Sequence, residues 1–277
     1  MAEAGLLDRL RPGDHVCLLV DDEPLRTRSL VAFMRAGLRD QNRVIYQGRG
    51  GEQVEAELIA QGVDVATLRR RDQLRITLTG PSYVRGERFD PVATLATWRA
   101  EAARARDDGY LGMRAVGDMS WASRPIPGTE QLAWYEAQVN RLFAEGFATG
   151  VCLYDRSLFD VSQMRGVIRS HPSTVTTETD PRLIPLLRAT RITDPLGLRL
   201  EGEADLSNRQ ALQAVVEHLV EESADTLTLD VSDLRFADAA AVRALLCGQR
   251  RLRLLGCSRS LRRMFDIQGA GAVEYVN

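Results

Sequence analysis

The sequence predicts an α/β protein: a larger unit with a largely parallel sheet, then a shorter α/β unit. Three observations predict it. Strand-like runs alternate with helix-length amphipathic segments from residue 15 to 170, the pattern of βαβ units. Residues 173–195 break the alternation by gathering Thr174, Thr176, Thr177, Thr179, Pro181, Pro185 and Pro195. A more regular β-α-β-α-β-α series then fills 197–267. The length of 277 residues agrees, because about 150 residues per domain implies about two domains. The first domain is placed at 1–190, including a connection over 173–193, and the second at 194–277.

Taken in order, residues 15–20 (HVCLLV) form an apolar strand. Asp21-Asp22-Glu23-Pro24 opens a helix, because acidic groups and proline suit the first turn. Leu30, Phe33, Met34 and Leu38 carry its helical spacing to about Gly37. Strands follow at 43–47 and 74–78, with a helix at 51–61 between them. Glycine, proline and arginine mark a loop at 80–88, and Asp90-Pro91 caps a long helix to about Asp108. A buried strand at 113–116 leads into Gly117-Asp118-Met119. A helix from Thr129 to about Glu145, a strand at 151–154 and a helix at 161–170 complete the first unit; His171-Pro172 stops the last helix.

In the second unit, 197–203 and 226–231 alternate as strands, and Leu206-Ser207 opens a helix to about Glu222. Asp238 is a natural N-cap for the alanine-rich run Ala239-Ala240-Ala241, with Gly248 past its end. A strand at 251–255 and a helix capped by Ser258 finish the series.

All 36 basic residues are arginine, and lysine is absent. GC-rich codon usage is the plain explanation. The absence excludes a Schiff-base lysine and a GxxxxGK[ST] phosphate loop. The net charge of −2 divides into +1 for residues 1–193 and −3 for 194–277, so neither part has the basic footprint of a nucleic-acid or anionic-membrane binder. The N-terminal residues lack a secretory pattern, and no apolar run approaches the ~20 residues needed to cross a bilayer. Cys17, Cys152, Cys247 and Cys257 share no CxxC spacing and suit reduced thiols in a cytoplasmic protein. His15, His171 and His218 form no HxH or HExxH pair. Neither a metal centre nor a cofactor is expected.

Parallel sheets hold ligands beyond the carboxyl ends of their strands, where Gln47, Asp118, Trp121 and Asp155 should sit. Strand alternation puts His15 and Cys17 on one face, where they line a ligand or metal pocket or serve as plain buried core. Asp118 stands where a hydrolytic ATPase would hold magnesium, yet a structural carboxylate fits as well. Tyr46, Trp121 and Tyr154 can wall an aromatic pocket or fill the core. Cys152 and His171 can pair as thiol and imidazole, but no third orienting group is evident for catalysis. Arg69-Arg70-Arg71 and Arg259, Arg262 and Arg263 read as solvated faces.

Two family resemblances cover nearly the whole chain. The N-terminal part resembles the DcmR-type sensory (MEDS) domain. The resemblance lies in Gly13-Asp14-His15-Val16-Cys17, Arg43-Val44-Ile45-Tyr46, Arg114-Ala115-Val116-Gly117-Asp118-Met119-Ser120-Trp121, Tyr135-Glu136 with Asn140, Cys152-Leu153-Tyr154-Asp155, and His171-Pro172. It implies a RecA/KaiC-like core without a working phosphate loop that senses small organic ligands. The acidic turn Asp21-Asp22-Glu23 agrees, because it would repel a triphosphate. His15, Cys17, Tyr46, Asp118, Trp121, Cys152, Tyr154, Asp155 and His171 are the ligand-binding candidates.

The C-terminal part resembles the STAS domain of anti-sigma-factor antagonists, through Gly202-Glu203-Ala204-Asp205-Leu206, Leu229-Asp230-Val231-Ser232-Asp233, Phe236-Ala237-Asp238 and Ser258 to Gly269. This implies a partner edge at Asp205, Ser207, Asp238, Ala239, Ala240 and Arg243. In that family a serine follows the aspartate and is phosphorylated by a cognate kinase, which expels the partner by charge. Here Ala239 and Ala240 follow, and the helix ends about one turn early, near Cys247. Ordinary kinase-controlled switching is therefore in doubt.

Together these resemblances imply a non-enzymatic regulator. Its first domain takes a small organic ligand or other signal, and its second takes an anti-sigma factor or serine-kinase-type regulator. A RecA-like ATPase relative that binds or hydrolyses nucleotide, and a scaffold or transcription regulator acting in a larger complex, are the rivals, and a homodimer is left open.

Overall fold

The computed structural model describes residues 7, 10–20, 23–77, 83–176, 187–222, 226–246, 251–269 and 273–276. The first sheet joins six parallel strands: β1 (His15–Val20), β2 (Asn42–Gln47), β3 (Leu74–Thr77), β6 (Gly112–Asp118), β7 (Ala148–Asp155) and β8 (Ser173–Val175). Their spatial order is β3-β2-β6-β7-β1-β8. A small hairpin, β4 (Val84–Arg85) and β5 (Arg88–Phe89), falls in the stretch expected as a loop.

Helices cover both faces, as a buried parallel sheet requires. On one face lie α1 (Glu23–Arg39), α2 (Gly51–Ala60) and α3 (Val65–Arg70), packed on Val16, Leu18, Val44, Tyr46, Val116 and Leu153. The other face carries α4 (Pro91–Asp107), α5 (Leu132–Phe143) and α6 (Val161–Arg169), packed on Cys17, Leu19, Ile45, Ala115, Cys152 and Tyr154. Alternation along each strand sorts these side chains into the two layers. Asp90 and Asp160 cap α4 and α6 by accepting from Ala93 N and Gln163 N. Thr129 opens a short 3-10 turn, and α5 itself begins at Leu132.

The second sheet is mixed, in the order β13-β12-β11-β10-β9. It comprises β9 (Leu187–Thr193), β10 (Leu196–Ala204), β11 (Thr226–Ala237), β12 (Arg251–Leu255) and β13 (Val273–Val276). Only β9 runs antiparallel to its neighbour. Helices α7 (Arg209–Glu222), α8 (Ala239–Leu246) and α9 (Arg259–Ile267) complete this unit.

The expected six-element series therefore lacked β9 and β13. The stretch assigned to a connection contains β8, which extends the first sheet, and β9, which extends the second. Both strands are recruited by edges of existing sheets, and three residues of β8 carry too little periodicity to be read locally. The acidic turn Asp21-Asp22, Leu78, Thr177 to Pro185 and the helix end at Cys247-Gly248 lie outside the described residues. Among those described, no helix is long and apolar enough to cross a membrane.

The two units meet along α5 and α7. Ala144, just beyond α5, joins the apolar core of the second unit and accepts at its carbonyl from Arg191 N at 2.7 Å. Asp14 receives a bidentate fork from Arg188 on β9, Nε to Oδ1 at 2.6 Å and Nη2 to Oδ2 at 2.8 Å. Both side chains are buried.

Candidate functional site

Register places the first group of candidates. Cys17 pairs with Cys152 across β1 and β7, and His15 pairs with Gly150. His15, Cys17, Cys152 and Tyr154 therefore face the same helical layer, under α5 and α6. Gly150 makes room there, because a Cβ at that position would collide with the Phe143 ring. Phe143 stacks on His15 with ring centroids 4.5 Å apart.

Glu136 of α5 points into this space and is fully buried. Its Oε1 accepts from Tyr154 OH at 2.5 Å, and its Oε2 accepts from Cys152 Sγ at 3.4 Å. His15 Nε2 lies 3.3 Å from Cys152 Sγ and 3.7 Å from Glu136 Oε2. His171 Nε2 lies 3.4 Å from the same oxygen. Asn140, one turn after Glu136, accepts at Oδ1 from His15 Nδ1 at 2.9 Å. Its amide nitrogen donates to the carbonyls of Glu136, Ala137 and Ser170.

Burial dominates the electrostatics of this cluster. It drives the His15 imidazole well below its ordinary value, and His171 adds to that, partly offset by the bond to Asn140. Burial, reinforced by Glu136, raises the Cys17, Cys152 and Tyr154 groups well above theirs. At neutral pH, His15 is therefore neutral and both thiols are protonated. A small cavity of about 20 Å³, lined in part by His15, Cys152, Tyr83, Trp98 and Tyr135, adjoins the cluster. The space suits a water-sized occupant.

The sequence pairs Cys152 with His171 as thiol and imidazole and offers no third orienting group. Glu136 and Asn140 are the residues it missed as site members. The available signal was two polar residues at i and i+4 beside the apolar stripe Leu132, Tyr135, Val139, Leu142. The four ligating atoms of His15, Glu136, Cys152 and His171 lie within 4.8 Å of one another. The expectation of no metal centre rested on contiguous motifs, which a set drawn from three elements and the turn after α6 does not produce.

The remaining candidates go elsewhere. Tyr46 lies on the opposite face of the sheet, within the α1–α3 layer. Its hydroxyl donates to the Arg49 carbonyl and accepts from Arg26 Nη2 at 2.6 Å. Arg26 also reaches Asp118 Oδ2 at 2.9 Å, and Arg49 N donates to that oxygen at 3.2 Å. Asp118 is thus a buried carboxylate matched by arginine. Asp155 accepts from Arg49 Nη2 at 2.8 Å. Burial alone would raise the Asp155 carboxyl, but hydrogen bonds from Ser157 and Arg49 hold it below its usual range. Trp121 packs against Tyr83, 5.3 Å between centroids, and Phe89. The aromatic wall of Tyr46, Trp121 and Tyr154 does not form, because Tyr46 is separated from the other two by the sheet.

In the second unit Asp238 caps α8 by accepting from Ala241 N at 2.7 Å. Asp205 Oδ1 accepts from Ser207 N and Oγ at 2.7 and 2.6 Å. Ala239 and Ala240 are half-buried in the first turn of α8, and Arg243 is exposed. Asp205, Ser207 and Asp238 line one wall of a groove of about 800 Å³, together with the exposed Leu206 and Phe236. Its other wall is α6 with Arg156 and Phe159 before it.

A continuous chain of contacts links that groove to the buried cluster. Asn140 holds the Ser170 carbonyl at 2.8 Å, and the Ser170 hydroxyl donates to Gln210 Oε1 at 2.8 Å. Next to His171, the Pro172 carbonyl accepts from Asn208 Nδ2 at 3.4 Å. Asn208 Oδ1 in turn accepts from Asp205 N at 3.0 Å.

Comparison with protein families gives two matches. The family described as Mlab, STAS domain matches residues 189–274. A search of curated proteins finds no match. The family described as MEDS, MEthanogen/methylotroph, DcmR Sensory domain, matches residues 14–172. Over half the chain, with the buried cluster and its approach to the second unit, lies in that match, and the protein belongs to the MEDS family, with a STAS domain behind its sensory domain.

Proposed function

We propose that the protein is a non-enzymatic signal-transduction regulator. Its sensory domain binds a small organic ligand or other signal, and its STAS domain binds an anti-sigma factor or a related serine-kinase-type regulator. Both matched families are regulatory. One observation carries the coupling. Asp205, Ser207 and Asp238 of the expected partner edge share a groove with α6 of the sensory domain. A shift of α6 changes the shape offered to a partner, so a ligand that favours one position of α6 changes partner affinity by its differential affinity for the two arrangements.

Control by phosphorylation at the family's usual place is ruled out chemically. Residues 236–243 carry no hydroxyl, so kinase and ATP leave this segment unmodified. Regulation runs through the sensory domain instead. The test is calorimetry of the full chain against a purified anti-sigma-factor kinase, repeated with Phe236→Asp. Binding that the variant weakens tenfold or more supports this function. Failure of the unaltered chain to bind such regulators, with the fold intact by circular dichroism, removes it.

A further inference from the structure

We propose that His15, Glu136, Cys152 and His171 form a closed tetrahedral site for one divalent transition-metal ion of the zinc class. The proposal stands independently of the signalling function above.

The distances carry it first. Zinc bonds of ~2.0–2.1 Å to nitrogen or oxygen and ~2.3 Å to sulfur make a tetrahedron with edges of roughly 3.3–3.6 Å. The observed edges are 3.3 Å for His15 to Cys152 and 3.4 Å for Cys152 to Glu136. They are 3.4 Å for His171 to Glu136 and 3.7 Å for His15 to Glu136, and the remaining two edges, from His171 to His15 and to Cys152, lie within 4.8 Å.

The hydrogen bonds around the cluster then settle which ring nitrogens face it. His171 Nδ1 lies 2.9 Å from the Val167 carbonyl, which can only accept, so Nδ1 carries the proton. Asn140 commits its amide nitrogen to three carbonyls, so its Oδ1 accepts from His15 Nδ1. In both rings Nε2 is therefore the nitrogen turned into the cluster. Among the described residues His171 Nε2 is fully buried and has no hydrogen-bond partner. It faces Glu136 Oε2 at 3.4 Å, a spacing that one metal ion bonded to both atoms would span. Asn140, the Val167 carbonyl and Tyr154 OH are the outer partners that orient metal ligands in proteins.

Ligand chemistry selects the class. Two imidazoles, a thiolate and a carboxylate suit zinc or a similar borderline ion and not magnesium or calcium. Binding breaks the Cys152 S–H bond, forms a metal–sulfur bond and releases one proton to solvent. Thiolate, carboxylate and M²⁺ then sum to zero charge, the state that burial favours. With four protein ligands, the coordination shell leaves no position for a reacting water, so the site serves structure or sensing.

The test uses the full chain, stripped with a chelator and titrated with Co²⁺ alone. The expected result is one Co²⁺ per chain, with tetrahedral ligand-field bands and a thiolate-to-cobalt charge-transfer band, both erased by Zn²⁺. Cys152→Ser removes the charge-transfer band, His171→Ala weakens binding by more than the roughly 10–100-fold that loss of an outer partner costs, and Cys257→Ser changes nothing. Should the cluster variants fail to fold, X-ray absorption of the zinc-loaded unaltered chain decides. One sulfur at ~2.3 Å with three nitrogen or oxygen neighbours near ~2.0 Å supports the site. A folded chain that takes up no Co²⁺, binds it without a thiolate band, or loses the band on Cys257→Ser overturns it.

Discussion

The two domains bury different things. Under its sheet the sensory domain encloses Asp14, His15, Arg26, Arg43, Asp118, Glu136, Asn140 and His171. The core cluster of the STAS domain is built from Leu198, Leu200, Leu229, Leu254, Phe265 and similar apolar groups, and its candidate partner residues lie at the edge. Buried polar groups must each find a partner, so the first domain is held in one arrangement that depends on what those groups meet. An apolar core tolerates changes at its rim.

The largest expected effect breaks the junction between the two. Asp14→Ala leaves the Arg188 guanidinium buried without its bidentate partner, which costs about 3–5 kcal/mol. Urea unfolding should show this loss, with the transitions of the two domains drawn further apart. Next is Leu229→Ala, a cavity in the apolar core worth about 2–5 kcal/mol. Calorimetry should place that loss in the STAS transition alone. A loss of equal size in both transitions would mean that the interiors act as one.

A pH effect separates the domains further. Burial, then Cys152 and Glu136, push the Tyr83 hydroxyl well above its ordinary value. The folded state therefore keeps a proton that the unfolded chain releases above about pH 10. Stability is complete below that pH and falls above it, by about 1.4 kcal/mol per pH unit for one proton. Tyr83→Phe should flatten this limb in urea titrations at alkaline pH. The smallest effect is at the rim, where Asp238→Ala removes the α8 cap at about 1 kcal/mol. Thermal unfolding of the STAS transition reads it.

Much of this was legible along the chain. The alternation in β1 placed His15 and Cys17 on one face, and Asp90 and Asp238 stood out as caps because capping is local; the β1–β7 register then set Cys152 and Tyr154 on the same face. Glu136 was not legible as a site residue, since a glutamate on an amphipathic helix ordinarily faces water. Only the packing of α5 over β1 and β7, with α6 beside it, turns that carboxylate inward. The aromatic wall failed for a related reason: Tyr46 belongs to another strand, whose phase relative to β6 and β7 is fixed by pairing and not by neighbours in sequence.

By itself the sequence determined the α/β class, the order of most elements, the missing lysine and phosphate loop, and the missing hydroxyl after Asp238. These follow from composition, periodicity and residue identity, which act over a few residues. Tertiary structure alone decided that His15, Glu136, Cys152 and His171 converge, and that α6 walls the groove beside Asp205 and Asp238. Both depend on contacts between segments far apart in the chain, whose distances are set by sheet register and helix packing.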